Sequence, residues 1–588
     1  MSSLIKALDS KKVGENGTYE YTWAANSSSI EEKIVQINFQ LVRNQHCNSL
    51  LIPNLFLLLN HLRDLYDIDD VTIDDTTIDF KKYITIIYKM IGYTRDIIAG
   101  KGEYELTFMM IRYFYSFFPE LAIEFIPTLV QMENKEHSYG SWKDLKYLCN
   151  HCKNSYKTDT RAKYGMYDEI IEKCCNLYNE QLRKDYENMN DSHYNISLVA
   201  KWIPRENKKF GWLFYKLAES YFVNYMRHAK SLEQQRLAKR KCYMDYRRIV
   251  STLNKKLDTL QIKQCNNNWS QINFNNVTSI SMMIQKDAFL NKKKNGQLKY
   301  SYREDRIQCA ETFEAYINDK NVEIKGKRVS IVDFTKEAIR LLNTNHNFQN
   351  EPQIILLNKQ WESNKSQNRK LGKMIAMVDT SGSMEGDPLH AAIAMGVRIA
   401  EMSSLGKRVI TFNDKPTWVN LENAPNFTTC VEEIHKADWG FNTNFFAAMK
   451  LILDAIVETK LLPSEVKDMV LVILSDMQID QAENTGKRDT MYKTIRKLYQ
   501  KVGMEHYGEP LTPPHILFWN LRNTNGFPSL STEPNTSMMS GINPVLMNVF
   551  CEEGMKALSE YSPWNVLEKS LNDKRYIVLE NIANNFFK

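Results

Sequence analysis

No stretch of this 588-residue chain approaches the roughly 20 consecutive apolar residues that a membrane-spanning helix needs. Met1 to Lys12 lacks the apolar core of a secretion signal, so the expectation is a soluble, intracellular, cytoplasmic protein with no membrane partner. The ten Cys are scattered and form no disulfide framework for a chain of this size, which makes reduced thiols the expectation. Cys149, His151 and Cys152 lie close together, but no second Cys/His pair stands at zinc-finger spacing, so they read as structural thiols and zinc is not assigned. The Gly100-Lys101-Gly102 triplet is not a Walker loop: such a loop needs Gly where Arg95 stands and Ser or Thr where Gly102 stands. A structural turn, or a cationic contact to an anion, fits better. A nucleophile elbow, an HExxH helix and a kinase loop set are all missing. No catalytic residue and no organic cofactor is therefore assigned, and the chain reads as a non-enzyme.

What is present is a globular composition, 43% hydrophobic with a formal net charge of +6. At about 150 residues per domain the length suggests two to four domains. The positive charge is concentrated. Between Lys201 and Leu260, fifteen Lys and Arg face five Asp and Glu, a surplus of ten, so the rest of the chain is neutral to slightly acidic.

In chain order, residues 1–29 form a polar, loose or edge-lying arm with an Asn16-Gly17 turn signal. Residues 30–342 read as an α-helical region, interrupted by an acidic loop from Asp64 to Asp79 and a less regular stretch from Trp269 to Ser281: apolar residues recur at three-and-four spacing with short Gly, Pro or polar breaks, as in stacked HEAT-like helix pairs. One of these helices, Arg236 to Leu260, carries Lys239, Arg240, Lys241, Arg247 and Arg248 interleaved with aromatics. That composition suits either a solvated face or a phosphate-contacting surface, with these five as the nucleic-acid-binding candidates. Residues 343–370 read as a polar linker, and residues 371–588 alternate short apolar runs (Met374 to Val378, Arg408 to Phe412, Met469 to Leu474, His515 to Trp519) with helices. That pattern predicts a doubly wound α/β domain with a mostly parallel sheet, an edge strand near Ser537 to Gly541, helices at Pro544 to Gly554, and a terminal helical segment from Ser562.

The chain is organised around Lys373 to Met384, KMIAMVDTSGSM. A buried strand runs into a polar loop, and a helix follows from Pro388, which places the loop at the carboxyl edge of the sheet, where open α/β folds hold ligands. Asp379, Ser381 and Ser383 offer hard oxygen ligands to Mg2+ or Mn2+. Thr443, in GFNTNFF, and Asp476, ending VLVILSD, fall at the same sheet edge.

These five residues resemble the metal-ion-dependent adhesion site of a von Willebrand factor A domain. The resemblance implies direct oxygen ligation by Ser381, Ser383 and Thr443, with Asp379 and Asp476 acting directly or through water. The sixth position is left for water or an acidic side chain of a protein partner. Two departures touch loop shape: Gly440 is separated from Thr443 by Phe441 and Asn442, and Met477 follows Asp476 where Gly is frequent. Over nearly the whole chain, the ordered segments ENGTYEYT, RDIIAGKGEYEL, YGSWKDL, ISLVAKWIPREN, YRRIVSTLNKKLD and WSQINFNNVTSISM, followed by DTSGSM, resemble an uncharacterised family of large DNA viruses, plants and other eukaryotes. Its members pair a helical amino-terminal region with a carboxy-terminal A domain. More distantly the layout is similar to the Ro (TROVE) RNA-binding autoantigen, a ring of helical repeats beside an A domain. The resemblances imply a binding protein whose helical half holds small structured RNA while the A domain recruits an acidic partner through the metal. The competing expectations are a metal-dependent protein scaffold or virion component without nucleic acid and, least favoured, a metal-dependent hydrolase.

Overall fold

The computed structural model describes residues 11–13, 19–24, 29–43, 50–67, 79–132, 136–157, 159–293, 297–344, 352–412, 415–437, 445–478, 489–524, 526–551 and 561–588. A short antiparallel hairpin, β1 (Lys11–Val13) and β2 (Tyr19–Tyr21), comes first. Six further strands form one mixed sheet: β3 (Met374–Asp379), β4 (Arg408–Phe412), β5 (Thr417–Asn420), β6 (Val470–Ser475), β7 (His515–Asn520) and β8 (Thr536–Ser540). Their order is β5-β4-β3-β6-β7-β8, with every neighbouring pair parallel except β4 and β5. Every residue of β3, β6 and β7 is buried, which is why these strands read as unbroken apolar runs rather than alternating ones. The helix Asp387–Met402 follows β3 and lies close on it: a Cβ on Gly396 would stand 2.5 Å from Val378 Cγ2. β5 has no apolar run to announce it, because its residues alternate between exposed and buried at the sheet edge.

In the amino-terminal region Phe80–Arg95, Tyr104–Tyr115, Pro119–Phe125, Trp142–Asn154 and Asp168–Asn188 stack as packed neighbours, and Gly211–Tyr221 and Leu232–Lys256 continue the stack. Between these last two helices the chain makes the short helical turn Val223–Arg227. Ile272, Phe274, Phe289, Cys309, Phe313 and Ile317 gather in a small second core, closed by Leu356.

Two expectations are corrected. Residues 343–370 are not simply a linker, because Pro352–Lys365 is a buried helix. It reads as polar because its amides satisfy buried backbone. Gln360 donates to the carbonyls of Ser279 (3.1 Å) and Lys325 (2.9 Å), and Asn364 donates to that of Val329 (3.2 Å). Such groups are buried at little net cost when paired. Trp361 of this helix stacks on Phe427 with centroids 3.9 Å apart. Secondly, Pro544–Phe550 is 3-10 rather than α-helical. The helical half and the α/β half share one continuous apolar core running from Tyr21 to Ala583. Within the polar arm, Tyr21 exchanges backbone hydrogen bonds with Phe527 of the carboxy-terminal half at 2.9 and 3.0 Å. The terminal helices Pro563–Leu571 and Ile577–Phe586 pack on Phe80–Arg95.

The loop after Phe80–Arg95 holds this junction together. Arg95 makes a two-pronged pair with Asp144 at 3.0 and 2.8 Å, and Asp96 one with Arg575 at 2.7 and 2.8 Å. Lys101 is 2% exposed and its ammonium donates to the carbonyl of Asn38 (2.7 Å) and to Ser540 Oγ (2.6 Å). The GKG triplet is therefore a structural turn. A Cβ on Gly100 would lie 2.0 Å from the Tyr93 carbonyl oxygen, so only glycine closes the loop here.

Arg575→Leu is expected to lower unfolding free energy by about 3–5 kcal/mol, because Asp96 is left buried without its counter-charge. Chemical denaturation of wild type and variant measures it. A loss below about 1 kcal/mol would mean that this pair does not join the halves.

Candidate metal centre and basic helix

β3 and β6 are adjacent and parallel, so Asp379, the last residue of β3, and Asp476, the residue after β6, reach the same sheet edge. Both are buried, at 0% and 1% exposure. Asp379 is held from two sides: the Ser381 amide donates to Oδ1 at 2.9 Å and the Ser475 hydroxyl to Oδ2 at 2.6 Å. Ser381 then leads into a 3-10 turn, Gly382–Met384, that brings Ser383 back, with the two hydroxyl oxygens 3.2 Å apart. Asp476 Oδ1 accepts from the Gln478 amide at 3.2 Å, whereas Asp476 Oδ2 is buried without a hydrogen-bond partner.

The electrostatics follow from burial. Loss of water raises the Asp379 carboxyl to about 7, the charge of Asp476 adds to the rise, and the hydrogen bonds from Ser381 and Ser475 oppose it. Burial raises Asp476 as well, against the Gln478 amide, the Ser383 hydroxyl and the Arg522 guanidinium. Two carboxylates in so dry a site cannot both ionise cheaply without a compensating positive charge. The donor set is one of hard oxygens, two carboxylates and two hydroxyls, and it contains no Cys or His.

Of the five predicted metal residues, Asp379, Ser381, Ser383 and Asp476 come together, while Thr443 lies outside the described residues. Met477 occupies the position where Gly is frequent in A domains, and its backbone takes φ +65°. The left-handed conformation is kept with a side chain that is 3% exposed, so burial of the thioether chain offsets a backbone cost of about 1–2 kcal/mol. Two residues escaped the sequence reading. Ser475, the last residue of β6, was legible as the hydroxyl beside Asp476. Arg522 follows β7 at the same edge and donates to the Ser383 carbonyl, a contact only the topology reveals.

The basic helix is Leu232–Lys256, capped by Ser231, whose hydroxyl accepts from the Gln234 amide at 3.1 Å. It buries Cys242, Tyr246, Ile249 and Leu253 at three-and-four spacing, leaving the rest of its circumference to water. Lys239, Arg240, Lys241, Arg247 and Arg248 are all exposed. Arg240 and Arg247 make one row and Lys241 and Arg248 another, each pair seven residues apart. Lys239 pairs with Glu219 at 3.6 Å, Arg247 pairs with Glu206 at 3.4 Å, and Lys241 sits 4.4 Å from the Tyr225 ring centroid. Among the described residues, Arg240 and Arg248 have no acidic partner.

Cys149 and Cys152 are fully buried thiols pushed up by desolvation, as a structural role requires. Among the described residues no helix is long and apolar enough to cross a membrane.

Comparison with known proteins finds relatives of unknown function. Residues 373–581, which contain β3 to β8, match a domain of unknown function (DUF7788). Residues 150–303, which contain the basic helix, match a second domain of unknown function (DUF2828). The chain is 27% identical over 505 residues to Uncharacterized protein L728 of Acanthamoeba polyphaga mimivirus, covering 82% of this chain and 78% of that protein. Similarity to an uncharacterised protein of a giant virus agrees with the coarser part of the expectation drawn from the ordered segments.

Because Asp379 titrates higher in the folded chain than in the unfolded one, the folded state holds a proton that the unfolded state has released above about pH 4. Its contribution to stability is present at low pH and is lost as pH rises through about 7. In chelator-treated protein, Asp379→Asn is expected to flatten the fall in stability between about pH 4 and 7. Equal slopes for wild type and variant would overturn the assignment.

Proposed function

We propose that this is a non-enzymatic binding protein with two surfaces: a Mg2+ or Mn2+ site of von Willebrand A type that takes an acidic protein partner, and a basic helix that holds structured RNA. The observation carrying the first part is the orphaned, buried Asp476 Oδ2 beside a second buried carboxylate. A divalent cation supplies the missing partner and the missing charge. The separation of the Ser381 and Ser383 oxygens, 3.2 Å, is near the roughly 3 Å edge of an octahedron with bonds of about 2.1 Å. Ser381, Ser383 and Asp476 would hold the ion, with Asp379, already accepting two hydrogen bonds, positioning water or a hydroxyl. A lone cation with an exchangeable position favours capture of a partner's carboxylate over a two-metal displacement.

RNA binding is supported by the two exposed basic rows on one helix, the arrangement expected of a phosphate-tracking face. A protein partner on the same face is the second reading. It is favoured by the exposed Leu237 and Met244, 57% and 58% accessible, which lie between those rows.

Titration of chelator-treated protein with MgCl2 is expected to raise its melting temperature, stabilisation reaching about 2.7 kcal/mol at a hundredfold excess over Kd. Asp476→Ala and Ser381→Ala should remove the shift. A shift that both variants retain would place the cation elsewhere. On the helix, joint reversal of Arg240, Lys241, Arg247 and Arg248 to Glu is expected to weaken hairpin RNA binding. It should also flatten the salt dependence by about 0.7–0.9 for each phosphate that is no longer neutralised. Capture of partners that ignores RNase but fails in EDTA would instead favour the scaffold reading.

A further inference from the structure

We propose that the cavity between the helices Val199–Trp202 and Leu232–Lys256 is a pocket for a single unpaired nucleotide, an inference that rests on the RNA-binding role proposed above. The cavity has a volume of about 690 Å³, within the roughly 300–1,000 Å³ of small-molecule sites. It opens beside Arg247, one of the five bases already named, so a nucleic acid tracking along the helix passes its mouth.

Its lining has three chemistries. The wall is apolar and aromatic: Trp202, Ile203, Phe214 and Val250. Phe214 is 3% exposed and serves as floor, while Trp202 is partly open and presents a π surface on which a base can stack. The rim is cationic, with Lys201, Arg205 and Arg247. Lys146 and Lys201 lie over the Trp202 ring, 5.1 and 5.9 Å from its centroid, so the indole already attracts cations and a base stacking there takes the part of the ring they leave open. Glu206 is the acidic residue of the lining, and it is already paired with Arg247.

The third chemistry is an amide. Gln261 lines the cavity, and its Oε1 is buried without a hydrogen-bond partner. An unpaired buried polar atom costs about 1–3 kcal/mol, so a ligand that pairs with it is favoured by that amount. A lipid tail or an aliphatic side chain cannot do so. A nucleobase edge can, since it carries donors and acceptors in the plane of a ring that stacks on an indole. With phosphate against Lys201 and Arg205, one nucleotide meets all three chemistries. A duplex does not, because its bases are stacked and its edges paired.

Two sources of this ligand exist, a nucleotide within RNA and a free nucleoside monophosphate, and one experiment separates them. Binding of the full-length chain is measured for a fully paired RNA hairpin and for the same hairpin with one bulged nucleotide, each with and without AMP, CMP, GMP and UMP. The bulge is expected to tighten binding about 5- to 150-fold, from a stacking contribution of about 1–3 kcal/mol per base. Trp202→Ala should abolish that preference and leave affinity for the paired hairpin unchanged. Gln261→Leu, a substitution at a partly exposed position, repeats the test should the first variant fold poorly. Competition by a monophosphate assigns the pocket to free nucleotides as well; a preference that monophosphates do not touch assigns it to RNA alone. Equal binding of the two hairpins, still salt-dependent, would overturn the pocket and leave the basic helix standing. Should neither hairpin bind, the RNA reading is lost, and an absence of Trp202-dependent monophosphate binding would then remove the pocket too.

Discussion

Four charged side chains of one short loop, Arg95, Asp96, Lys101 and Glu103, are withdrawn from water, and the placement of both halves depends on how each is matched. Arg95 answers Asp144 within the helical stack, and Asp96 answers Arg575 from the carboxyl terminus. Lys101 answers the end of the helix Ile30–Gln40 together with β8, and Glu103 answers Arg43 at 3.0 Å. Buried ions tolerate little displacement: separating a pair by a few ångströms leaves two desolvated charges, each costing several kcal/mol. Apolar packing across the junction is less exacting, since side chains can repack with modest loss. The ions therefore fix the register of the halves, and the shared apolar core supplies most of the cohesion. Burial also depresses the Lys101 ammonium to about 7, a measure of how completely the junction excludes solvent.

Downstream of that junction, the candidate metal centre is a consequence of sheet topology. Parallel neighbours bring the ends of β3 and β6 to one edge, and each strand delivers an acid there with its backbone still hydrogen-bonded. Strand alternation turns Ser475 toward Asp379 and sends the following residue to the rim, so SD at the end of β6 supplies one supporting group and one ligand candidate. Met477 shows how strongly the loop geometry is imposed. Its left-handed backbone would suit glycine, yet the buried side chain is kept.

Much of this was legible in the sequence because it is local. Residues buried on both faces make β3, β6 and β7 continuous apolar runs, and the polar loop after β3 follows without interruption. The buried stripe of Leu232–Lys256 is equally local, and the same period leaves its bases on the exposed surface. What escaped was long-range. The helix Pro352–Lys365 looks like a linker because its buried amides serve carbonyls as distant in sequence as Ser279. The cavity beside Trp202 arises where segments from residues 200 to 262 converge, and no window of sequence contains it. Arg522 reaches Ser383 across 139 residues. The GKG triplet drew attention as a local motif, and tertiary burial gave it a different role.

The same helix, Pro352–Lys365, bears on how the metal site would behave. Asp387–Met402, which leaves the β3 loop, is held along its length. The Arg398 guanidinium lies 4.1 Å from the Trp361 ring centroid and donates to Asn368 Oδ1 at 2.6 Å and Asn364 Oδ1 at 3.1 Å. Nearer the loop, Thr335 donates to the His390 carbonyl at 2.9 Å. Moving this helix would strip a fully buried guanidinium of its partners, a cost of several kcal/mol that exceeds the roughly 1–3 kcal/mol of a typical allosteric coupling. On the binding reading proposed above, a cation therefore acts locally, neutralising Asp379 and Asp476 and ordering the Ser381–Ser383 turn while the helix stays in place. On that reading, partner capture would depend on the chemistry of the open coordination position rather than on a change in domain shape, and ligand binding by the basic helix in the other half would be independent of the metal.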